Sequence, residues 1–193
     1  MFGGTIRTNL SFQISDSLTA SFRYSRIPTL DGDFKGYTWD RSFDVHYLVK
    51  NQSHFFPSIA IGLRDFIGTG LYSGEYLVAT QNISSRLKLT AGIGWGRLSG
   101  KNNFSNIFGQ INRTSGSRGF GGTLSINQFF SGKNSPFFGL EYQLNEKTQF
   151  VAELSSDDYD KEDLSPKGFD RKSDLNVGIK YQLAPDLSIM GSL

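Results

Sequence analysis

His46 and His54 are the only histidines in this 193-residue chain, and cysteine is absent. Nucleophilic catalysis of the Ser-His-acid kind therefore has to use one of two imidazoles, because a histidine must take the proton from the serine hydroxyl. A hydrolase carrying such a triad on its outer surface is the enzyme alternative to weigh. Neither histidine accompanies a G-x-S-x-G turn, the strained elbow that exposes a nucleophilic serine. His46 falls in the polar phase of an alternating stretch and His54 in a short polar turn, so the chain reads as non-catalytic. The missing cysteines exclude disulfides, thiolate metal sites and a cysteine nucleophile. The acidic run Asp157, Asp158, Asp160, Glu162 and Asp163 lacks the glycine and terminal glutamate spacing of a calcium loop and reads as a solvated face. No catalytic residue, no metal site and no cofactor is expected.

Arg64, Asp65 and Glu75 form the next constellation. Arg64 and Glu75 fall on neighbouring strands in what reads as the same polar phase, where opposite charges across a strand pair fix register and an isolated charge costs desolvation energy. A transport or gating role for the pair is the alternative. Arg7, Arg23, Asp44, Lys88, Glu141, Glu153 and Lys180 share that phase and are of mixed sign, which predicts a hydrated or polar-plugged interior without marked ion selectivity. Gly68, Gly70, Gly92, Gly94 and Gly96 do not make a phosphate cradle, because that motif needs a helix after the glycine turn and none follows. Alternate glycines on one strand face instead leave room for a loop or ligand, or mark a sharply curved wall.

These residues need elements to hold them, and the hydrophobic period names the elements. Side chains on a strand alternate between faces, whereas those on a helix recur near every third or fourth position. The period here is two almost throughout. Ile6, Thr8, Leu10, Phe12 and Ile14 interleave with polar residues; so do Leu18, Ala20, Phe22 and Tyr24, then Phe43, Val45, Tyr47 and Val49, with Leu48 the exception, then Ile59, Ile61 and Leu63. Tyr72, Gly74, Tyr76 and Val78 are read as the apolar phase of the fifth strand. Leu87 to Trp95, Phe138 to Leu144, Phe150 to Leu154, Leu175 to Leu183, and Leu187 with Ile189 complete ten strands.

Most of these strands run to roughly nine to eleven residues, the length that crosses a bilayer at a tilt of about 45°. Their apolar faces end in Tyr24, Trp39, Phe43, Tyr72, Trp95 and Tyr181, as the aromatic girdles of membrane barrels do. Connections alternate between short (15–16, 51–54, 84–85, 145–147, 185–186) and long (27–40, 65–71, 99–135, 157–172). Short periplasmic turns and longer outer loops are the barrel pattern, whereas a soluble sandwich seldom sorts its loops by side. The expected fold class is all-β: an antiparallel transmembrane β-barrel occupying 1–193 as one domain, with 99–135 a long external loop.

Twenty Lys and Arg against 18 Asp and Glu give a net charge of +2, and no basic stripe exists, so nucleic acid is not an expected partner. No run of 18 apolar residues is present, which excludes a transmembrane helix but not a barrel, whose hydrophobicity hides in alternation. If the short turns are periplasmic, both chain ends lie at the external face, where complete bacterial barrels do not start or finish. The expectation is therefore a partial barrel, a piece of a longer protein with strands before and behind it.

Three blocks, DRSFDVHYLV at 40–49, GLRDFIGTGLYSGEYLVAT at 62–80 and LTAGIGWGRL at 89–98, resemble the YjbH-like family of outer-membrane proteins encoded with exopolysaccharide and capsule clusters. The middle block is the specific part, since the family's G-x-RD-x-x-GTG-x-x-x-EYLVA segment and its strand ending near G-x-GWG occur in order and spacing. FFGLEYQL at 137–144 and SDLNVGIKYQL at 173–183 are similar to family strands and less diagnostic. The resemblance implies a bacterial outer-membrane barrel, often within a lipoprotein, that takes part in export or assembly of a surface polysaccharide. The upstream signal peptide, lipidated Cys and first family segment have no counterpart here.

The implied partners are the lipid bilayer and lipopolysaccharide, the polysaccharide and other components of its secretion machinery. Lumen-facing candidates are Arg64, Glu75, Lys88, Arg7, Arg23 and Asp44. In the loop, Phe104, Phe108, Arg113 and Phe120 are candidate glycan contacts, because aromatic rings stack on sugars and Arg and Asn hydrogen-bond hydroxyls. A general porin or structural barrel is the alternative function, and a barrel-embedded lipid hydrolase a more distant one.

Overall fold

The computed structural model describes residues 6–31, 34–68, 70, 72–108, 112–113, 123–124, 128–157 and 173–192. Each alternating stretch is a strand: β1 Ile6–Ser15, β2 Leu18–Asp31, β3 Phe34–Lys50, β4 Ser58–Gly68, β5 Gly74–Asn82, β6 Leu87–Trp95, β8 Asn134–Gln143, β9 Thr148–Leu154, β10 Leu175–Ala184 and β11 Leu187–Ser192, with the two-residue β7 Thr123–Leu124 between β6 and β8. Omitting β7, which pairs with β4, the strands lie in chain order, each antiparallel to the next. The short connections fall where turn residues were read, between Ser15 and Leu18, Asn82 and Leu87, Gln143 and Thr148, and Ala184 and Leu187. Among the described residues β1 and β11 are the edges of the sheet.

The core is inverted relative to a water-soluble domain. On β3 the side chains of Trp39 (51%), Phe43 (42%) and Tyr47 (47%) are exposed, while Asp40 and Ser42 between them are fully buried. Among the described residues the buried hydrophobics are Ala60, Tyr72 and Trp95; Arg23, Asp40, Asp65, Glu75, Asn134 and Asp157 are buried too. Burying charge in place of leucine costs free energy unless partners are supplied, so the polar face must be the one that is organised. Glycines make room on it: a Cβ on Gly92 would lie 2.1 Å from the Phe137 ring, and one on Gly94 would lie 2.4 Å from the Leu98 Cβ.

The structure corrects three expectations about these elements. The segment 27–40 is no loop: β2 and β3 stay paired from Leu18↔Tyr47 to Asp31↔Phe34. Tyr24 stacked on Trp39 at 5.0 Å and Arg26 over the Tyr37 ring at 4.1 Å zip this arm across its exposed side. The fifth strand starts at Gly74, and its faces are the reverse of those expected. Gly62 pairs with Tyr76, and a Cβ on Gly62 would strike the Tyr76 ring, so Tyr76 lies on the polar face and Glu75 and Leu77 on the other. Finally, Tyr72 and Trp95 are buried and take no part in an aromatic girdle.

A bulge near the end of β4 accompanies this reversal. Val45 pairs with Leu63 but Phe43 with Ile67, so Asp44 faces a stretch two residues too long. Asp65 takes up the excess with φ of 51°, a left-handed conformation that Asp tolerates better than most residues. Its N–H donates to Asp44 Oδ1 at 2.7 Å, and its carboxylate turns to the polar face.

Candidate functional site

The polar face is organised in tiers. Nearest the short turns, Lys88 and Glu141 pair across β6 and β8 at 2.6 Å, and Gln149 donates to Glu141 from β9 at 3.1 Å. The middle tier joins β3, β4 and β5. His46 Nδ1 and the Tyr76 hydroxyl share a hydrogen bond of 2.8 Å, the Tyr76 ring fitting over Gly62.

At the long-loop end, Tyr72 is the node. Its ring is 3% exposed because the guanidinium groups of Arg7, Arg23 and Arg97 lie at 4.7, 5.5 and 4.9 Å from its centroid. These arginines come from β1, β2 and the 3-10 turn Gly96–Ser99 that follows β6, so the polar face is concave where they converge on one ring. Cation-π attraction of this kind strengthens as water is excluded. Carboxylates balance the charge: Arg97 Nε donates to Asp157 at 2.6 Å, Arg23 lies 3.6 Å from Asp44, and Asp65 Oδ2 accepts the Tyr72 N–H at 2.9 Å. Ser156 donates to the Leu98 carbonyl and so ties the strand end after β9 to the same turn.

Between these tiers lies a hollow of about 290 Å³ lined by Thr19, Ser21, Asp44, His46, Arg64 and Tyr76. A larger one of about 490 Å³ dents the opposite, apolar face where Ala79, Ala91 and Ala152 stand beside Leu89, Leu140 and Leu154. Its lining suits an alkyl chain better than a polar ligand.

The long connection folds back over the sheet instead of standing away from it. Phe104 and Asn134 pair as an isolated bridge, and Thr123–Leu124 pairs with Gly68 and Ile67. Trp95 is covered by Phe108, stacked at 5.6 Å, and by Phe130, edge-on at 5.1 Å, while its indole N–H donates to Asn106. Arg113 forks onto Glu75 at 2.7 and 3.0 Å and donates to Ser73 Oγ at 2.7 Å; the Phe130 N–H completes the carboxylate at 3.0 Å.

The residues singled out in the sequence therefore separate. Arg7, Arg23 and Asp44 gather around or beside Tyr72, Lys88 stands in the Glu141 tier, and Arg64 lines the smaller hollow. Glu75 does not join Arg64, because Arg64 pairs with Gly74 and Glu75 faces the other way, held by the loop. Arg113 is spent on Glu75 and is not a free glycan contact. Phe104 and Phe108 remain exposed, at 42% and 61%, and Phe120 lies outside the described residues. Sequence reasoning missed Tyr72, Tyr76 and Arg97 as polar-face residues; for Tyr76 the glycine opposite it, Gly62, was the available signal, since a missing Cβ marks where a larger group must fit.

An antiparallel meander with an apolar outer face and a charged, concave inner one defines an all-β wall whose chemistry faces inward. The chain belongs to the YjbH family: residues 2–193 match the family described as "Exopolysaccharide biosynthesis protein YbjH". It is 31% identical over 166 residues to the "Uncharacterized lipoprotein YjbH" of Escherichia coli (strain K12), covering 83% of this chain and 23% of that protein, so it spans about a quarter of that relative's length. Among solved structures it is similar to the NanC porin in its rhombohedral crystal form, with a TM-score of 0.46 and 12% identity over 95% of this chain and 76% of that one.

Proposed function

We propose that this chain forms part of the wall of a transmembrane barrel in the bacterial outer membrane and serves export or assembly of an exopolysaccharide without catalysing a reaction. Membership of an exopolysaccharide biosynthesis family over residues 2–193 is the observation that carries this reading. The exposed apolar side chains of β1, β3, β10 and β11 support a lipid contact, and the tiers of paired charge support a hydrated interior. In this reading the bilayer and lipopolysaccharide contact the outside, the glycan passes or docks inside, and other parts of the secretion machinery meet the ends. The non-catalytic assignment is consistent with His46 being engaged by Tyr76 and His54 lying edge-on to Phe55 in an exposed turn.

The test is deletion of the complete gene with polysaccharide measured in the medium and in the periplasm. Loss outside with accumulation inside is expected. Unchanged amounts in both places, together with single-channel conductance for small solutes, would instead identify a general porin.

A further inference from the structure

The 290 Å³ hollow on the polar face contains a charge that the rest of the face does not use. Asp44 is committed twice, to Arg23 at 3.6 Å and to the Asp65 N–H at 2.7 Å. His46 and Tyr76 are committed to each other. Asp65 sends one oxygen to the Tyr72 N–H and is turned towards Gly68. Among the described residues the guanidinium of Arg64 has no hydrogen-bond or ion-pair partner, although it stands on the same hollow as Asp44, His46 and Tyr76. An Arg fork left over beside a neutralised aspartate is a receptor for a carboxylate, which it holds through two parallel N–H donors.

The remaining lining fits the rest of a sugar. Thr19 and Ser21 bring hydroxyls from β2, which are bonded to Gln13 Oε1 and to Ser11 Oγ, each at 2.8 Å, and keep acceptor lone pairs, and Tyr76 adds an aromatic ring to the same hollow. The volume lies at the lower edge of the roughly 300–1,000 Å³ spanned by small-ligand sites, enough for one ring and too little for two. We infer that Arg64, Tyr76, Thr19 and Ser21 form a subsite on the inner wall for a single acidic sugar residue, its carboxylate on Arg64 and its ring against Tyr76. This rests on the proposed function in that the passing glycan supplies the ligand; the site itself is a property of β2 to β5.

The experiment uses the full-length protein in detergent with two defined probes, a hyaluronan tetrasaccharide, which alternates glucuronate with N-acetylglucosamine, and chitotetraose, which is neutral. Binding is followed by calorimetry. The hyaluronan tetrasaccharide is expected to bind at least tenfold more tightly than chitotetraose, and Arg64→Ala is expected to remove that preference. Lys88→Ala, an equal charge loss on the same face, is expected to retain it. Arg64→Lys, which keeps charge without the fork, should recover only part, and the heat-dependent gel mobility of each variant reports whether it folds. Equal binding of the two probes, binding of neither, or equal losses from Arg64→Ala and Lys88→Ala would overturn the proposal. Exopolysaccharide measured in the gene deletion, set beside the binding result, separates the two claims. Charge-selective binding with undiminished export in the gene deletion leaves the site standing and removes the export role, whereas failed binding with lost export in the deletion does the reverse.

Discussion

Glu75 and Arg113 are 38 residues apart and meet in a two-point contact of 2.7 and 3.0 Å, with the carboxylate 1% exposed. This pair fastens the long connection to the apolar side of the sheet beside Trp95, and several consequences can be measured.

Glu75→Gln leaves Arg113 without its counter-charge in a dry site. Breaking a buried pair from one side costs about 3–5 kcal/mol, to be read as a fall in the urea midpoint of the refolded protein. With Trp39→Phe as background, Trp95 is the sole tryptophan, and its emission should move to the red as Phe108 and Phe130 leave it. Unmoved emission would mean that the aromatic contacts hold the loop without the ion pair.

Gly94→Ala should destabilise by about 1–3 kcal/mol, the usual cost of forcing atoms into a packed site. The new methyl would lie 2.4 Å from Leu98 Cβ, close to the backbone of the 3-10 turn, which has to shift. Gly139→Ala is the control, because its Cβ meets nothing closer than 3.5 Å, and it should be neutral or stabilising by about 0.4–1 kcal/mol through the unfolded chain. Equal losses in the two variants would refute the role given to the inner-face glycines.

The two ion pairs Arg97–Asp157 and Lys88–Glu141 are both 2.6 Å long yet should differ in worth. The first has side chains 11% and 10% exposed, the second 38% and 33%. Arg97→Ala is expected to cost about 3–5 kcal/mol and to free the strand end after β9; Lys88→Ala should cost about 0–1 kcal/mol, less still in 1 M salt. Urea titrations at low and high salt distinguish them.

Leu89→Arg tests the lipid-facing assignment of the apolar side. A charge there is expected to cost about 2–4 kcal/mol near the bilayer midplane and to lower the fraction of protein that inserts into phosphatidylcholine vesicles. Thr80→Lys, on the polar face beside Thr90, should insert as the parent does. Equal insertion of both variants would argue for a sheet whose apolar side is covered by protein.

Much of this architecture was legible in the residues. Alternation from Ile6 to Ile14 or from Leu175 to Leu183 dictates strands, and the paired small residues at Ser84 and Ser85 or Pro185 and Asp186 dictate where they turn. Strand number, antiparallel order and the polar phase of β2, β3 and β6 follow from these local facts, because each depends only on neighbours along the chain. The phase of β5 did not follow. Both alternate sets there, Tyr72, Gly74, Tyr76 and Val78 against Ser73, Glu75, Leu77 and Ala79, mix polar and apolar residues, so only the pairing of Gly62 with Tyr76 decides which side Glu75 takes.

The burial of Tyr72 and Trp95 was equally out of reach. An aromatic at a strand end has the same local pattern whether it meets lipid, three arginines or a returning loop. Arg7, Arg23 and Arg97 reach Tyr72 from segments up to 90 residues apart in the numbering, and Phe130 and Arg113 reach Trp95 and Glu75 only once the connection has folded back. The sequence by itself determined a ten-strand antiparallel wall with one apolar and one polar side, since backbone geometry ties side-chain direction to position along a strand. Tertiary structure alone decided which charges pair, which one is left over in the hollow, and which aromatics are covered, since those outcomes depend on distances between residues that the chain brings together only on folding.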